Sequence, residues 1–281
     1  MSKLIPIDYN SPNAKRDFVA SLRDTGFGVL KNHPLSQDDV QGMYDAWSGF
    51  FSSDSKMEYE WDRETFAGLF PIEKSETAKG QDVKDLKEFF HFYVGEKCPP
   101  NLLERTSAYH SKATNLAIEL VGWIEEESPK DVRALYSEPL DKMMIGATRN
   151  LLRILHYPPQ PRAVEVAGVR AAAHEDIDFL TILPSANEPG LQVLGKDGSW
   201  LEVPSDFGNL IVNIGDMLQE ASGGYFPSTT HRVVNPEGND RSKSRFSIPL
   251  FCHPRPEVIL SERHTAQSYL DERLHELGHK S

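Results

Sequence analysis

Apolar positions recur at helical spacing in three stretches of the first half of the chain. Phe18, Val19 and Leu22 predict a helix over residues 14–25, and Val40, Met43, Tyr44 and Trp47 predict another over 37–51. Ala108, Leu116, Ile118, Leu120, Val121 and Ile124 mark a long third helix over 102–126, with a further one after Ser128 and Pro129. Short strands are expected at residues 4–7 and 26–30, the second ending at Asn32, His33 and Pro34. From residue 151 the pattern changes. Residues 151–157 form an apolar run stopped by Pro158 and Pro159, and short strand-like segments with frequent turn residues follow. Asp197–Gly198 reads as a two-residue type I′ hairpin. Pro189–Gly190, Gly223–Gly224 and the 236–240 segment read as further turns. Many short strands with regular turns predict a barrel or jelly roll. Tyr269, Leu270, Leu274 and Leu277 suit the inner face of a closing helix over 264–278. The pattern therefore predicts a mainly β protein with helices: a barrel or jelly-roll core with flanking N-terminal and C-terminal helices.

Composition narrows the function. The 281 residues suit one domain, read as an N-terminal segment 1–150, a jelly-roll core 151–260 and a C-terminal helix 261–281. No repeat, low-complexity tract or linker divides them. With 39% hydrophobic and 26% charged residues, the chain has an ordinary globular mix. A net charge of -12 argues against a nucleic-acid partner, which needs a basic face. Cys98 and Cys252, two thiols only, fit a reduced compartment better than a disulfide framework. No apolar run approaches the ~20 residues of a membrane span, and the first residues lack a signal-peptide core. The expectation is a cytoplasmic protein with neither nucleic acid nor membrane as partner.

His174 and Asp176 stand two apart, so on a strand both can face one point. A later histidine such as His231 would complete two imidazoles and a carboxylate on one face of a metal, the ligand set of non-haem iron(II) oxygenases. His-x-Asp alone is weak, but its surroundings are ordered. Thr181–Ile182–Leu183, Gly190–Leu191–Gln192–Val193, Val212–Asn213–Ile214–Gly215–Asp216, His231–Arg232–Val233 and Arg245–Phe246–Ser247 follow in turn. In these blocks the chain closely resembles the isopenicillin-N-synthase-like family of iron(II)/2-oxoglutarate oxygenases. The opening resembles the family as well, with a Gly26–Phe27 strand, Asn32–His33 and the Phe50–Phe51 to Lys56 ending. So do Gly68 to Pro71 and the blocks 76–80 and 85–90, between which lies a candidate lid.

The resemblance implies a double-stranded β-helix (jelly roll) core and a dioxygenase that oxidises, most often hydroxylates, a small-molecule C–H bond while converting 2-oxoglutarate to succinate and CO2. His174, Asp176 and His231 would hold Fe(2+), O2 would be the oxidant, and ascorbate a supporting reductant. Arg245, Ser247 and Tyr157 would grip the distal carboxylate of 2-oxoglutarate. Leu155 stands where plant relatives often carry Asn, which leaves the wall of that pocket open. Arg170, four residues before His174, is the first candidate for a substrate-facing charge. His156 is read as pocket wall or packing, with substrate contact as the lesser alternative, and Phe179, Asp178 and Gln219 are further pocket candidates. Arg232 should point away into a structural pairing, His33 reads as a loop histidine, and His275 with His279 as a solvated helix end. Two rival readings stay open: a relative that oxidises substrate without 2-oxoglutarate, and a barrel that binds a small molecule without turnover.

Overall fold

The computed structural model describes residues 4–72, 87–159, 171–185, 190–234 and 244–276. Arg170, the 76–80 block with its candidate lid, the 236–240 turn, Leu277 and His279 lie outside the described residues.

Ahead of the β-rich half, the described residues form β1 (Ile7–Asp8), α1 (Ala14–Thr25), β2 (Phe27–Lys31), α2 (Gln37–Phe51), β3 (Gly68–Phe70), β4 (Glu88–Phe92) and α3 (Pro100–Glu127). Local chemistry sets their ends. Gly26, at φ 74°, takes the left-handed turn that closes α1, and its N–H donates to the Leu22 carbonyl. Ser36 and Asp39 form a reciprocal capping box at the start of α2. Pro100 opens α3 at a position where a missing N–H costs nothing. Two short helices, α4 (Lys130–Arg133) and α5 (Leu140–Met144), lead to the β-rich half.

That half contains β5 (Leu151–Tyr157), β6 (Ala171–His174), β7 (Leu180–Pro184), β8 (Leu191–Leu194), β9 (Trp200–Glu202), β10 (Leu210–Ile214), α6 (Asp216–Ala221), β11 (His231–Val233), β12 (Arg245–Ser247), β13 (Leu250–Cys252) and α7 (Ala266–Glu276). The larger sheet runs β1-β2-β10-β7-β13-β5-β4-β3, with β12 also paired to β5, and the smaller runs β6-β11-β8-β9.

Strand alternation gives the larger sheet two faces. Leu30, Val212, Ile182, Leu250, Leu152 and Ile154 lie on the outer face and join Phe18, Trp47 and Leu120 of the helices in the main core. Each such side chain, fully buried, contributes about 1.5–3 kcal/mol. Residues between them face the smaller sheet: Phe27, Val29 and Ile211 pack with Val193 and Val203 in a second cluster. Helices cover one face of the larger sheet, and the smaller sheet covers the other. The result is the jelly roll expected from the strand pattern.

Three local expectations change. Leu4 belongs to the intersheet cluster, and the first strand starts later, at Ile7. Ala108 is exposed, and α3 buries Tyr109, His110 and Ala113 instead. The β8–β9 hairpin is not a two-residue type I′ turn. That turn needs φ > 0 at both central residues, and Gly198 has it (φ 79°) while Asp197 does not. The loop spans residues 195–199, where Gly198 N–H donates to the Gly195 carbonyl and Asp197 Oδ1 accepts from Ser199 N–H at 3.0 Å.

Candidate metal centre

His174 ends β6 and His231 begins β11, and the two are direct cross-strand partners in the smaller sheet. Their rings lie 4.3 Å apart. Asp176 follows in the turn after β6, and its Oδ1 lies 3.7 Å from His174 Nε2 and 3.8 Å from His231 Nε2. One donor atom from each of the three falls within 4.8 Å of the others.

Hydrogen bonds to the protein aim these donors. His174 Nδ1–H donates to the Ala172 carbonyl at 2.7 Å, and His231 Nδ1–H donates to the Thr229 carbonyl at 3.1 Å. A nitrogen facing a carbonyl must carry the proton, so both Nε2 lone pairs turn toward Asp176. Such backbone ties are the usual outer support of metal-binding imidazoles. Phe27 of the larger sheet closes edge-on against His231, with ring centroids 5.3 Å apart.

The carboxylate is divided in the same way. Asp176 Oδ2 accepts from Thr181 Oγ1 at 2.6 Å and from Asn213 Nδ2 at 2.9 Å, which leaves Oδ1 to the imidazoles. Burial alone would raise the Asp176 pKa, but the two histidines and these hydrogen bonds outweigh it, so the carboxyl stays ionised. Burial holds His231 below the ordinary histidine value and therefore neutral, as a ligand must be. Asp178 is buried beside Asp176, and both burial and that neighbour push its pKa well up. Thr181 Oγ1 is also 2.8 Å from Asp178 Oδ2. The Thr181 hydroxyl is therefore shared between two carboxyl groups, within hydrogen-bond distance of both Asp176 Oδ2 and Asp178 Oδ2. The three donors suit ferrous iron, and the set is one ligand short of a closed structural zinc site.

In the second candidate cluster, Arg245, Phe246 and Ser247 of β12 lie directly opposite Tyr157, His156 and Leu155 of β5. Cross-strand partners share a face. Arg245, Ser247 and Tyr157 therefore project to the inner side of the larger sheet, the side of Thr181 and Asn213. The Arg245 guanidinium carbon is 6.0 Å from the Tyr157 ring centroid.

The same register takes His156 out of the pocket. It lies on the outer face with Phe246, stacked between Phe246 (4.9 Å) and Phe51 (5.1 Å). Its Nδ1–H donates to Glu88 Oε1 at 2.8 Å, and Lys56 Nζ bonds Glu88 Oε2 at 2.8 Å. Burial would raise the Glu88 pKa, yet hydrogen bonds from His156 and Lys56 lower it, so this is a structural ion network. Phe179 is also removed from the substrate candidates, because it is fully buried in the main core. Gln219 Oε1 accepts from Ser228 N–H at 2.8 Å and so braces a loop. Arg232 points away as expected: its Nε donates to Gln192 at 2.9 Å and its guanidinium stacks 3.9 Å over Trp200. His33 is a loop histidine bonded to the Gly208 carbonyl at 3.1 Å, and His275 is exposed on α7.

The sequence pattern assigns no role to Thr181 or Asn213 and reads Asp178 as a pocket candidate, whereas all three belong to one buried hydrogen-bond network around Asp176. Two of them stand in plain view, inside the Thr181–Ile182–Leu183 and Val212–Asn213 blocks. Their polar side chains at inward-facing strand positions are the available signal.

Comparison with known proteins agrees with this arrangement. The sequence model of the 2OG-Fe(II) oxygenase superfamily matches residues 148–254, and that of the N-terminal region of non-haem dioxygenases in morphine synthesis matches residues 3–112. A 2-oxoglutarate-dependent dioxygenase of Didymella fabae is 28% identical over 258 residues, covering 81% of this chain and 75% of the relative. The crystal structure of a Shewanella oneidensis protein, described provisionally as an oxygenase, is 55% identical, covers 99% of both chains and superposes with a TM-score of 0.92. A full-length Neurospora crassa protein, solved in complex with alpha-KG, shares the fold at 22% identity and a TM-score of 0.81, over 98% of this chain and 96% of that one. Donor set, barrel and relatives point the same way: the chain belongs to the 2OG-Fe(II) oxygenase superfamily.

Proposed function

We propose that His174, Asp176 and His231 bind one ferrous ion, and that Arg245, Ser247 and Tyr157 bind the distal carboxylate of 2-oxoglutarate. The observation that carries this reading is the convergence of two Nε2 lone pairs and one carboxylate oxygen, each aimed by hydrogen bonds on its far side. When bound, iron and 2-oxoglutarate supply the oxidation of a C–H bond by O2, coupled to decarboxylation to succinate. The protein's share is to orient and to shield. Thr181 and Asn213 fix the carboxylate, Arg245 offers a planar fork that matches a carboxylate edge, and the two sheets bury Asp176 and His231. Hydroxylation of a small molecule is the expected outcome.

A main core holding buried residues from Ala14 to Ala266 supports a single functional unit across the chain. Two buried free thiols, Cys98 and Cys252, support a reducing, cytoplasmic setting. No helix among the described residues is long and apolar enough to cross a membrane, and the net charge of -12 supports a small-molecule rather than a nucleic-acid partner.

The test separates metal from cosubstrate. 2-Oxoglutarate is titrated into the anaerobic ferrous protein, and the charge-transfer absorption of the chelate is followed. Asp176→Ala should lose most bound iron. Arg245→Leu should keep iron but bind 2-oxoglutarate on the order of thirtyfold or more weakly, since losing a charge-assisted pair of this kind costs about 2–5 kcal/mol. Equal iron in Asp176→Ala and the parent would overturn the metal assignment. Equal 2-oxoglutarate affinity in Arg245→Leu and the parent would overturn the clamp.

A further inference from the structure

A second arginine lies on the inner face of the larger sheet, away from the cosubstrate clamp. Arg153 lies on β5 four residues before Tyr157, so both side chains share the inward face. At ~3.3 Å per residue they stand about 13 Å apart along the strand. Two neighbours connect Arg153 to the metal site. Its guanidinium carbon is 5.3 Å from the Phe251 ring, and Phe251 is the direct cross-strand partner of Thr181, which holds Asp176.

Among the described residues Arg153 is held without an acid. It lies opposite His91 of β4, and its Nε–H donates to His91 Nε2 at 2.9 Å. His91 can accept because its Nδ1–H donates to the Phe66 carbonyl at 3.0 Å. Burial and the adjacent guanidinium keep this imidazole neutral. Phe89 flanks the guanidinium on the other side at 5.0 Å. Tyr93 continues the wall, and exposed Arg149 lies 5.4 Å over its ring. Among the described residues no carboxylate pairs with Arg153 or Arg149, although Asp and Glu outnumber Lys and Arg by 42 to 30 in this chain. A partly buried structural arginine ordinarily has an acid beside it, since an uncompensated charge is costly away from water. Here a neutral histidine takes the Nε edge, aromatic rings take the faces, and the terminal amines remain as a fork.

We propose that Arg153 is the substrate-recognition residue and grips the carboxylate of a small planar organic acid whose ring lies against Phe251. Arg149, at the exposed end of the same wall, draws the anion in. Two parallel N–H donors match the two oxygens of a carboxylate. A dianionic phosphate would call for more donors than this single fork supplies. The inference rests on the reading above, in which Arg245 serves the cosubstrate, and it assigns Arg153 and Arg245 to two different carboxylates.

Benzoate, phenylacetate and cinnamate serve as probes, with their primary amides and phenyl phosphate beside them. Each is titrated by calorimetry into the anaerobic ferrous protein saturated with 2-oxoglutarate. The acids should bind the parent at least about tenfold more tightly than the amides. Arg153→Gln should erase that preference while still binding 2-oxoglutarate, and Arg153→Lys should retain part of it. Thermal melts establish that each variant is folded, and the acid-to-amide comparison on the parent needs no variant at all. The proposal is overturned if the parent binds no acid or binds amides equally well. It is overturned too if phenyl phosphate is preferred, if Arg153→Gln keeps the preference, or if Arg153→Gln loses 2-oxoglutarate. A parent that fails to bind 2-oxoglutarate overturns the proposed function instead, and titration of the acids without cosubstrate then reads this site separately.

Discussion

Asp176 is buried with one oxygen committed to the protein and the other to the two histidines. That division needs both donors. A buried acceptor that loses a donor costs about 1–3 kcal/mol, and loss of such an outer partner typically lowers metal affinity ten- to a hundredfold. Asn213→Ala should therefore melt earlier and bind ferrous iron at least about tenfold more weakly in competition with a chromophoric chelator. Asn213→Asp should be worse, because it sets a second carboxylate against the first. Parent-like melting and affinity in Asn213→Ala would mean that Thr181 alone positions the ligand.

At the scale of elements, the metal-site turn is clamped to the start of α6. The N–H groups of Gly215, Asp216 and Met217 donate to the carbonyls of Phe179, Asp176 and Asp178 at 3.2, 2.8 and 3.0 Å. A helix start leaves such donors without partners of its own, so the turn and the helix satisfy each other. Gly215 permits the contact, since a Cβ there would collide with both Asp178 Oδ1 and the Asp178 carbonyl oxygen. The second of these is backbone and cannot swing aside. Gly215→Ala should destabilise the fold by about 1–3 kcal/mol, the usual cost of overpacking, and should also weaken iron binding by displacing Asp176. Denaturant melts with iron and with chelator measure both, and a loss of stability with unchanged iron affinity would show that the turn moves independently of its carboxylate.

Across the whole molecule, several histidines are folded in their neutral form. Burial lowers the pKa of His110, His91 and His253, the last to about 4. A histidine with a depressed folded pKa binds its proton more readily in the unfolded chain. Its contribution is complete above the unfolded value near 6.5 and is lost as pH falls from there toward the folded value. Asp178 and Asp216, whose folded pKa values are raised, act in the opposite sense, so a single-residue comparison is the clean measurement. His110 offers one, because its ring bonds the Asn150 carbonyl at 3.1 Å beneath α3. The stability difference between the parent and His110→Gln should shrink below pH 6.5 by at most about 1.4 kcal/mol per pH unit. A difference that stays constant from pH 7.5 to 5 would mean that His110 is not kept neutral by the fold.

The elements that sequence determines here are those with strong local signals. The Ser36–Asp39 cap and the apolar stripe of residues 37–51 specify α2 to the residue, and the 14–25 stripe does the same for α1. The candidate ligands were legible because a two-residue spacing carries its own geometry, and the ordered blocks around them pointed to the same chemistry. Facing and partnership needed the tertiary structure. Leu151, Leu152, Ile154 and Leu155 make both faces of β5 apolar, so alternation cannot say which side His156 takes, and a one-residue change of register would exchange it with Tyr157. The pairing of β5 with β12 settles the matter and puts His156 in the outer core with Phe51 and Phe246. His91 and Arg153 are 62 residues apart in sequence, and Asn213 and Asp176 are 37 apart. Nothing in either neighbourhood names the other. Local propensity acts over a few residues, whereas these contacts exist only once β4 lies on β5 and β10 on β7.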